Sequence, residues 1–218
     1  MCQITKISAQ KNDRSRVNLY IDGQFFCGLS LNTLAKYTLY EGKEVEEEEL
    51  GNILKDDLHQ RVTERVLQYI SSTVKTEMQI RKYIVQLLHK KKGKWYVELD
   101  KHERDELVEK VISNLKEYGY LDDGKFAEAL INSRLKNKPR GKSVLLAELI
   151  SKGVEKSLAE QKIDECVLDE YELLKNVFNK KFKDGKITKS DTKKIAYLQR
   201  KGFSWDLIEQ LINDDTRE

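Results

Sequence analysis

An internal repeat constrains the fold of this chain more than any other feature of its sequence. Residues 146–163 align without a gap with residues 195–212, which lie 49 positions later. Eight of the 18 aligned pairs are identical: Ala147/Ala196, Leu149/Leu198, Lys152/Lys201, Gly153/Gly202, Leu158/Leu207, Glu160/Glu209, Gln161/Gln210 and Ile163/Ile212. A period of this length is typical of stacked helical units, each of which buries its apolar face against its neighbours.

Each copy reads as a helix, a sharp turn and a second helix. Leu149 and its counterpart Leu198 lie on the buried stripe of the first helix. The Lys-Gly pair that follows predicts the end of that helix, because lysine suits the negative C-terminus and glycine adopts the left-handed conformation after it. The apolar residue after each glycine then packs back onto the helix. A further amphipathic stretch begins near Asp122 before one copy and near Asp169 before the other, so the sequence predicts units of three short helices.

A fainter copy precedes these two and ends at Gly119. Its three helices are expected at residues 61–73, 76–88 and 103–118. The helical apolar period begins earlier, near Glu46, where a run of acids suits a helix N-terminus. The pattern leaves open whether one long helix or two helices with a break near Asp56-Asp57 lead into this copy.

The N-terminal segment has the alternating pattern of a small antiparallel sheet. Residues 17–21 and 24–27 flank Asp22-Gly23, which is a strong hairpin-turn signal. Residues 4–8 are expected to form a third strand, and a short helix is expected over residues 31–36. A sheet this small needs a cover, which the helix that follows could supply.

Together these patterns predict a mainly α fold, with tandem three-helix repeats in an elongated, curved array preceded by a small antiparallel β segment. The expected domains are residues 1–45 for the β segment, 46–120 for the leading helix and first repeat, 121–168 for the second repeat and 169–218 for the third. One proline among 218 residues and a charged fraction of 35% fit thin helical modules with wide solvated faces.

Several classes of protein are excluded by the composition. Cys2, Cys27 and Cys166 are widely spaced and form no Cys-x-x-Cys pair, which argues against a disulfide framework or a zinc site and fits a reducing cytoplasm. No apolar stretch is long enough to cross a membrane, and the first residues lack the apolar run of a signal peptide. The three histidines are expected at the surface. Without a Ser/His/Asp set, a glycine-rich phosphate loop or metal-ligand spacing, we expect no enzyme, no cofactor and no metal.

Three basic stretches, one in each repeat, form the candidate contact surface, although the formal net charge is only +3. The candidate binding residues are Arg134, Lys136, Lys138, Arg140 and Lys142; Lys180, Lys181, Lys183, Lys193 and Lys194; and Lys90, Lys91 and Lys92 with Trp95. Repetition would place them on related faces, where they could track phosphate groups or an acidic protein surface. For the stretch from Arg134 to Lys142 taken alone, a solvated loop without a binding role is an equal alternative.

The second-repeat stretch carries the most detailed expectation. Pro139 and Gly141 would leave the backbone N–H groups at the start of the next helix free to attract anions. Arg140 and Lys142 would flank that point. Together with Arg134 they are expected to be exposed, so that reversing all three charges would weaken binding and leave the fold intact.

The remaining prominent residues have structural interpretations beside the functional ones. Asp122-Asp123 follows a helix-ending glycine and precedes an apolar run, so we expect a helix cap rather than an acid–base pair. Trp95 could stack on bases or cover the body of the first repeat. The aromatic residues expected in the core are Phe126, Phe203 and Trp205.

A distinctive string of motifs runs through the second repeat. Residues 118–127 read Tyr-Gly-Tyr-Leu-Asp-Asp-Gly-Lys-Phe-Ala, and Arg134, Pro139-Arg140-Gly141-Lys142 and Leu146-Ala-Glu-Leu-Ile-Ser-Lys-Gly-Val154 follow in order. This string resembles the RecX family of regulatory proteins, and the order of repeats matches that family over about residues 61–218. The N-terminal sheet resembles the extra segment of the longer family members.

The resemblance implies a non-enzymatic protein. Members of the family bind the filament of the recombinase RecA on single-stranded DNA, in its helical groove, and inhibit strand exchange, ATP hydrolysis and co-protease activity. We therefore expect a cytoplasmic monomer whose partner is the RecA filament, with weak direct binding to DNA and no membrane contact. Two alternatives stay open: a general DNA-binding repeat protein that acts independently of RecA, and an adaptor for an unrelated protein, which the linked basic stretches disfavour.

Overall fold

A small antiparallel sheet forms the N-terminal segment of the protein, whose computed structural model describes residues 1–91, 95, 98–183 and 186–215. Its strands, in the spatial order β3-β2-β1-β4, are β1 (Cys2–Ala9), β2 (Arg16–Ile21), β3 (Gln24–Ser30) and β4 (Glu44–Val45). Asp22 and Gly23 turn between β2 and β3 with φ angles of 50° and 81°. The hairpin and the third strand are thus confirmed. β4 has only two residues, too few to show an alternating pattern, and sequence reasoning missed it.

One face of this sheet is covered by the helices that follow. Ile4, Leu19 and Leu29 are fully buried and belong to the same core cluster as Ile53 of α2 (Glu47–Ile70). The short helix α1 (Leu31–Lys36), capped by the Ser30 hydroxyl, was predicted and is present. The structure also decides the open question about the leading segment, because α2 is one helix of 24 residues. The separate helix expected over residues 61–73 is therefore wrong: most of that segment is the C-terminal part of α2.

A buried network of ion pairs and hydrogen bonds links the sheet to α2. The Asp57 carboxylate, 4% exposed, lies 2.9 Å from the Arg16 guanidinium and 2.6 Å from that of Arg61. It also accepts a hydrogen bond of 2.7 Å from the backbone N–H of Ser30. Both arginines donate to the carbonyl of Gly28 in β3. Because the buried charge is paired on several sides, the network fixes the strands against the helix.

Eight further helices complete the described part of the chain. They are α3 (Glu77–Lys91), α4 (Lys101–Glu117), α5 (Asp123–Asn137), α6 (Lys142–Ser151), α7 (Lys156–Cys166), α8 (Glu170–Lys181), α9 (Thr192–Arg200) and α10 (Trp205–Asp215). The chain divides into two compact units: an N-terminal unit of residues 1–73 and 81–117, and a C-terminal unit of residues 74–80 and 118 onward.

The second and third repeats have equivalent cores. In α5–α7 the buried side chains include Ile131, Leu149 and Ile163, and in α8–α10 they include Phe178, Leu198 and Ile212. Leu149 and Leu198, and Ile163 and Ile212, are pairs from the sequence repeat. Asp122 and Asp169 cap the first helix of each repeat, each accepting a backbone N–H at 2.9 Å, so the capping interpretation of Asp122 is confirmed.

The Lys-Gly turns end their helices as the sequence predicts. Gly153 and Gly202 have φ angles of 93° and 95°, and the backbone N–H of the next residue reaches back five residues. Val154 donates to Leu149 O at 3.1 Å and Phe203 to Leu198 O at 3.3 Å, and these bonds define the Schellman motif. Val154 and Phe203 are 3% exposed and pack into the two repeat cores.

These same turns dock onto the start of a preceding helix. The Lys201 carbonyl accepts the Gly141 N–H at 2.8 Å, and the Gly202 carbonyl accepts the Ser143 hydroxyl at 2.7 Å. The turn at Lys152 repeats the arrangement, since its carbonyl accepts the Thr76 hydroxyl at 2.6 Å. At Gly141 a Cβ atom would lie 2.3 Å from the Gly202 oxygen, so only glycine allows this close approach.

One aromatic expectation is wrong. Trp205 is 44% exposed, whereas Phe203 is buried and Phe126 is half-buried against the core of the second repeat. The repeat explains the exposure, because Trp205 aligns with Lys156, an exposed residue in the first turn of α7. Cys2, Cys27 and Cys166 are free thiols. None of the described helices has the length and apolar character needed to cross a membrane.

Candidate nucleic-acid interface

Arg134, in the second-repeat basic stretch, is paired with an acid of the protein. Arg134 in α5 makes three hydrogen bonds of 2.5–3.1 Å to the carboxylate of Glu148 in α6. Arg140 lies 3.8 Å from the same carboxylate. The hydrogen bond from Arg134 holds the pKa of Glu148 below its usual value. Arg134 is 29% exposed at its side chain, so the expectation that it is exposed is wrong: it joins two helices of one repeat.

The start of α6 is already occupied by groups of the protein. The backbone N–H of Lys142 donates to the Glu170 carboxylate at 2.7 Å, and the N–H of Gly141 donates to the Lys201 carbonyl. The Lys142 ammonium group pairs with Asp164 at 2.6 Å, and both Arg140 and Lys142 are half-buried. The expected anion site at this helix N-terminus is therefore wrong, because the acid that it attracts comes from α8.

The third repeat has no acid at the position of Glu148, which pairs with Arg134 in the second repeat. In the sequence repeat, Glu148 aligns with Tyr197. The capping residues Asp122 and Asp169 align α5 with α8, and this alignment places Lys181 where α5 has Arg134. The third repeat thus keeps the cation and replaces its carboxylate with a phenol ring.

Lysines of the second and third repeats meet around a pocket of about 300 Å³ in the C-terminal unit. The residues that line it are Asn137, Lys138, Pro139, Val177, Lys180, Lys181, Tyr197 and Lys201. Lys138, Lys180 and Lys181 are exposed, and Lys201 is half-buried. Across the residues described, no carboxylate forms an ion pair with any of these four ammonium groups. Within the part of the chain that the structure describes, the pocket therefore presents uncompensated positive charge.

The aromatic ring of Tyr197 forms part of the wall of this pocket. The Lys201 ammonium group lies over the Tyr197 ring, 5.6 Å from its centroid. Tyr197 meets Phe182 edge to face at 5.4 Å, and Lys194 lies over Phe182 at 5.6 Å. Lysines and rings thus alternate along this surface. Cation–π contact fixes Lys201 beside the pocket without cancelling its charge.

The other candidate residues lie outside the pocket. Lys136, Lys183 and Lys193 are exposed. Lys194 is half-buried; it contacts Phe182 and donates to the Lys186 carbonyl at 2.5 Å. The structure thus brings Lys138 of the second repeat together with Lys180 and Lys181 of the third.

The first-repeat stretch belongs to the N-terminal unit. Lys90 is exposed, while Lys91 and the Arg61 guanidinium each lie 6.0 Å from the centroid of the Trp95 ring. Trp95 is half-buried and lines a pocket of about 270 Å³ with Leu58 and other residues of this unit. This favours the interpretation that Trp95 covers the first repeat. Lys92 lies outside the described residues.

Sequence reasoning did not include Lys201 and Tyr197 among the candidate binding residues. The signal was present in the aligned repeat, where the lysine is retained at positions 152 and 201 while Glu148 is replaced by Tyr197. The exchange of Glu148 for Tyr197 was the informative difference, because it removes the negative charge from one repeat only.

The fold and this surface define a protein of tandem three-helix repeats with a lysine-lined pocket. Family models match at residues 2–46 (regulatory protein RecX N-terminal domain), 122–163 (RecX, second three-helix domain) and 169–212 (RecX, third three-helix domain). The chain is 30% identical to the regulatory protein RecX of Bacillus licheniformis, over all of this chain and 79% of that one. It is 31% identical to that of Clostridium acetobutylicum, over 97% and 95% of the two chains. The chain therefore belongs to the RecX family of regulatory proteins.

Solved structures show the same fold. A crystal structure of regulatory protein RecX matches with a TM-score of 0.72 at 23% identity and covers 98% of this chain and 100% of its own. The structure of RecX from Lactobacillus salivarius matches with a TM-score of 0.55 at 17% identity, over 73% and 97% of the two chains. A mostly helical protein with a small antiparallel N-terminal sheet, as predicted, is thus confirmed.

Proposed function

We propose that this protein is a negative regulator of the recombinase RecA. It binds the RecA filament on single-stranded DNA as a cytoplasmic monomer and inhibits ATP hydrolysis, strand exchange and co-protease activity. The observation that carries this proposal is similarity along the whole chain to regulatory proteins of the RecX family. The protein acts by binding, not by catalysis.

The arrangement of charge supports a filament as the target. A nucleoprotein filament offers both acidic protein surface and DNA phosphate in a repeating array. The pocket lysines are uncompensated within the described residues, and such cations speed association with a polyanion and lower the free energy of binding to it. The acids at the start of α2, Glu47, Glu48 and Glu49, suit basic patches of a protein partner.

The test is the ATPase activity of RecA on single-stranded DNA. Adding this protein below the stoichiometry of RecA should suppress hydrolysis, since a regulator that blocks filament growth acts on many subunits at once. Light scattering or electron microscopy of the filaments would report their length in the same samples. Unchanged hydrolysis at equimolar protein would contradict the proposal.

A general DNA-binding protein that acts without RecA is the second candidate. The observation that favours it is the basic pocket, whose charges need no protein partner to attract DNA. In that case affinity for bare DNA would fall steeply with salt, and adding RecA to the DNA would not change it. Tighter binding to RecA-coated DNA than to bare DNA would reject this second candidate.

A further inference from the structure

We propose that the pocket formed by Lys138, Lys180, Lys181 and Lys201 around Tyr197 binds backbone phosphates of a single-stranded nucleic acid. It follows that the third repeat, with Lys138 of the second, makes this contact, while Arg134, Arg140 and Lys142 of the second-repeat basic stretch are structural. The inference deepens the proposed regulatory function, and it rests on that function for the claim that the protein meets single-stranded DNA. The binding itself is a property of the isolated protein and is tested there.

The first step is the contrast between equivalent positions. Arg134 is neutralised by three hydrogen bonds to Glu148, and Lys142 by Asp164. Lys181 occupies the equivalent of Arg134 and faces Tyr197, which has no charge to offer. At Lys181 a mobile anion would displace no carboxylate of the described residues. For Arg134 it would have to break an existing ion pair.

The second step is the density of positive charge. Four ammonium groups border a pocket of about 300 Å³, and one carboxylate of a protein partner would leave most of that charge unbalanced. A single strand carries one negative charge on every nucleotide, so adjacent phosphates can meet several lysines. Lysine acts as a point charge without the directional fork that arginine offers to a carboxylate. The observations therefore favour a phosphate backbone over an acidic protein.

The third step concerns what the site reads. The Tyr197 ring carries the Lys201 ammonium group over it and meets Phe182 edge to face. The ring therefore serves to position Lys201, and the remaining wall is formed by aliphatic and amide side chains. Binding through charge without stacking predicts equal affinity for different base sequences.

The test compares two double charge reversals with the same change in net charge. One is Lys180→Glu with Lys181→Glu in the pocket. The matched control is Lys125→Glu with Lys156→Glu, two exposed lysines of the same unit that lie near their own acids. Fluorescence anisotropy with labelled oligo(dT) and oligo(dA), without RecA, gives the affinity between about 50 and 200 mM salt.

The pocket variant should bind oligo(dT) at least about tenfold more weakly at low salt. The slope of log affinity against log salt should fall by about 1.4, because each lost lysine–phosphate contact to a single strand contributes about 0.7. The control variant should retain the wild-type affinity and slope, and oligo(dT) and oligo(dA) should bind alike. Circular dichroism melts of both variants establish that the helices are intact, and the neutral variant Lys180→Gln with Lys181→Gln should show the same loss without acids at the end of α8.

Three results would overturn the inference: no binding of oligo(dT) by the wild type at low salt, equal affinity of the pocket and control variants, or competition by poly-glutamate as strong as that by oligo(dT) of the same charge. Failure of the regulatory function looks different. If wild-type protein leaves RecA hydrolysis unchanged while the pocket variant still loses DNA binding, the proposed function fails and the pocket assignment stands. If hydrolysis is suppressed and both variants bind DNA alike, the reverse holds.

Discussion

Cationic side chains that look alike in the sequence differ in this molecule by whether a carboxylate lies beside them. Arg134 and Lys181 occupy equivalent places in the second and third repeats. Glu148, 16% exposed at its side chain, pairs with Arg134, whereas Lys181 lines an open pocket beside Tyr197. One cation therefore pairs with an acid of the fold, and the other has no carboxylate partner among the described residues.

The Arg134–Glu148 pair predicts a loss of stability when the arginine is removed. Arg134→Ala should lower the free energy of unfolding by about 1–2 kcal/mol, because the partly buried carboxylate loses charge-assisted hydrogen bonds. Lys136→Ala, which removes an exposed lysine two residues away, should change it by less than about 0.5 kcal/mol. Urea denaturation measures both values. Equal midpoints for the two variants would mean that the pair contributes nothing.

The same pair gives the stability a defined dependence on pH. The hydrogen bond from Arg134 lowers the pKa of Glu148 in the folded state, so the folded state binds its proton less readily than the unfolded state does. The stabilisation is therefore complete above the unfolded pKa of about 4.3 and is lost as the pH falls through the folded value. Arg134→Ala should show a smaller loss of stability than the wild type as the pH falls below about 4.

At the scale of elements, local signals end and begin the helices. The caps Asp122 and Asp169 and the left-handed glycines Gly153 and Gly202 act as their sequence contexts predict. What local signals did not contain is the second use of the Lys-Gly turns, whose carbonyls accept hydrogen bonds from the start of an earlier helix. A helix end is thus also a docking surface between repeats.

Two glycines allow the helix-ending role of such a turn to be tested separately from its docking role. Gly119 and Gly153 both have positive φ angles, 69° and 93°. A Cβ atom at Gly119 would meet nothing within 4 Å, whereas at Gly153 it would lie 2.4 Å from Met78 Cβ. Gly119→Ala should cost about 1 kcal/mol for the left-handed backbone, and Gly153→Ala about 1–3 kcal/mol more because Met78 and its helix must move. Thermal or urea unfolding decides, and equal costs would contradict the docking role of the turn.

At the scale of the whole molecule, the core cluster of the sheet and α2 lies within the N-terminal unit, and those of the second and third repeats lie within the C-terminal unit. The near balance of 40 basic and 37 acidic residues says little about where charge is exposed. Acids pair with Arg134, Arg140 and Lys142 of the second repeat and with the arginines around Asp57, while the pocket lysines stay uncompensated among the residues described. We expect a perturbation at Asp57 to affect the core cluster of the sheet and α2 first.

Asp57→Asn tests this expectation. Removing the carboxylate leaves Arg16 and Arg61 half-buried without their partner, which should cost about 3–5 kcal/mol. Hydrogen exchange should show lost protection in β2, β3 and α2, with protection in α8 and α9 unchanged. Asp56→Asn is the matched control, since this neighbour is more exposed and pairs with Lys36 at the surface; it should cost about 1 kcal/mol or less. Loss of protection in both units would show that they unfold as one.

The sequence predicted most of the fold because the relevant interactions are short in range. Hairpin turn, helix caps and the repeat all depend on residues within a few positions of each other or on direct comparison of two segments. The candidate site was predicted only in part: Lys138, Lys180 and Lys181 lie at the pocket, but Arg134, Arg140 and Lys142 are engaged within the protein. Trp205 was expected in the core because it is aromatic, although the repeat aligns it with Lys156, an exposed residue.

The sequence by itself determined the repeating helical units, the hairpin before them and the caps and glycines that start and end helices of the second and third repeats, because backbone conformation and capping follow from neighbouring residues. Only the tertiary structure decided which cations are available to a ligand. The partners that neutralise Arg134 and Lys142 lie 14 and 22 positions away, and the pocket lysines come from two repeats. Pairing at such distances depends on how helices pack, and charge patterns along a chain do not contain that information.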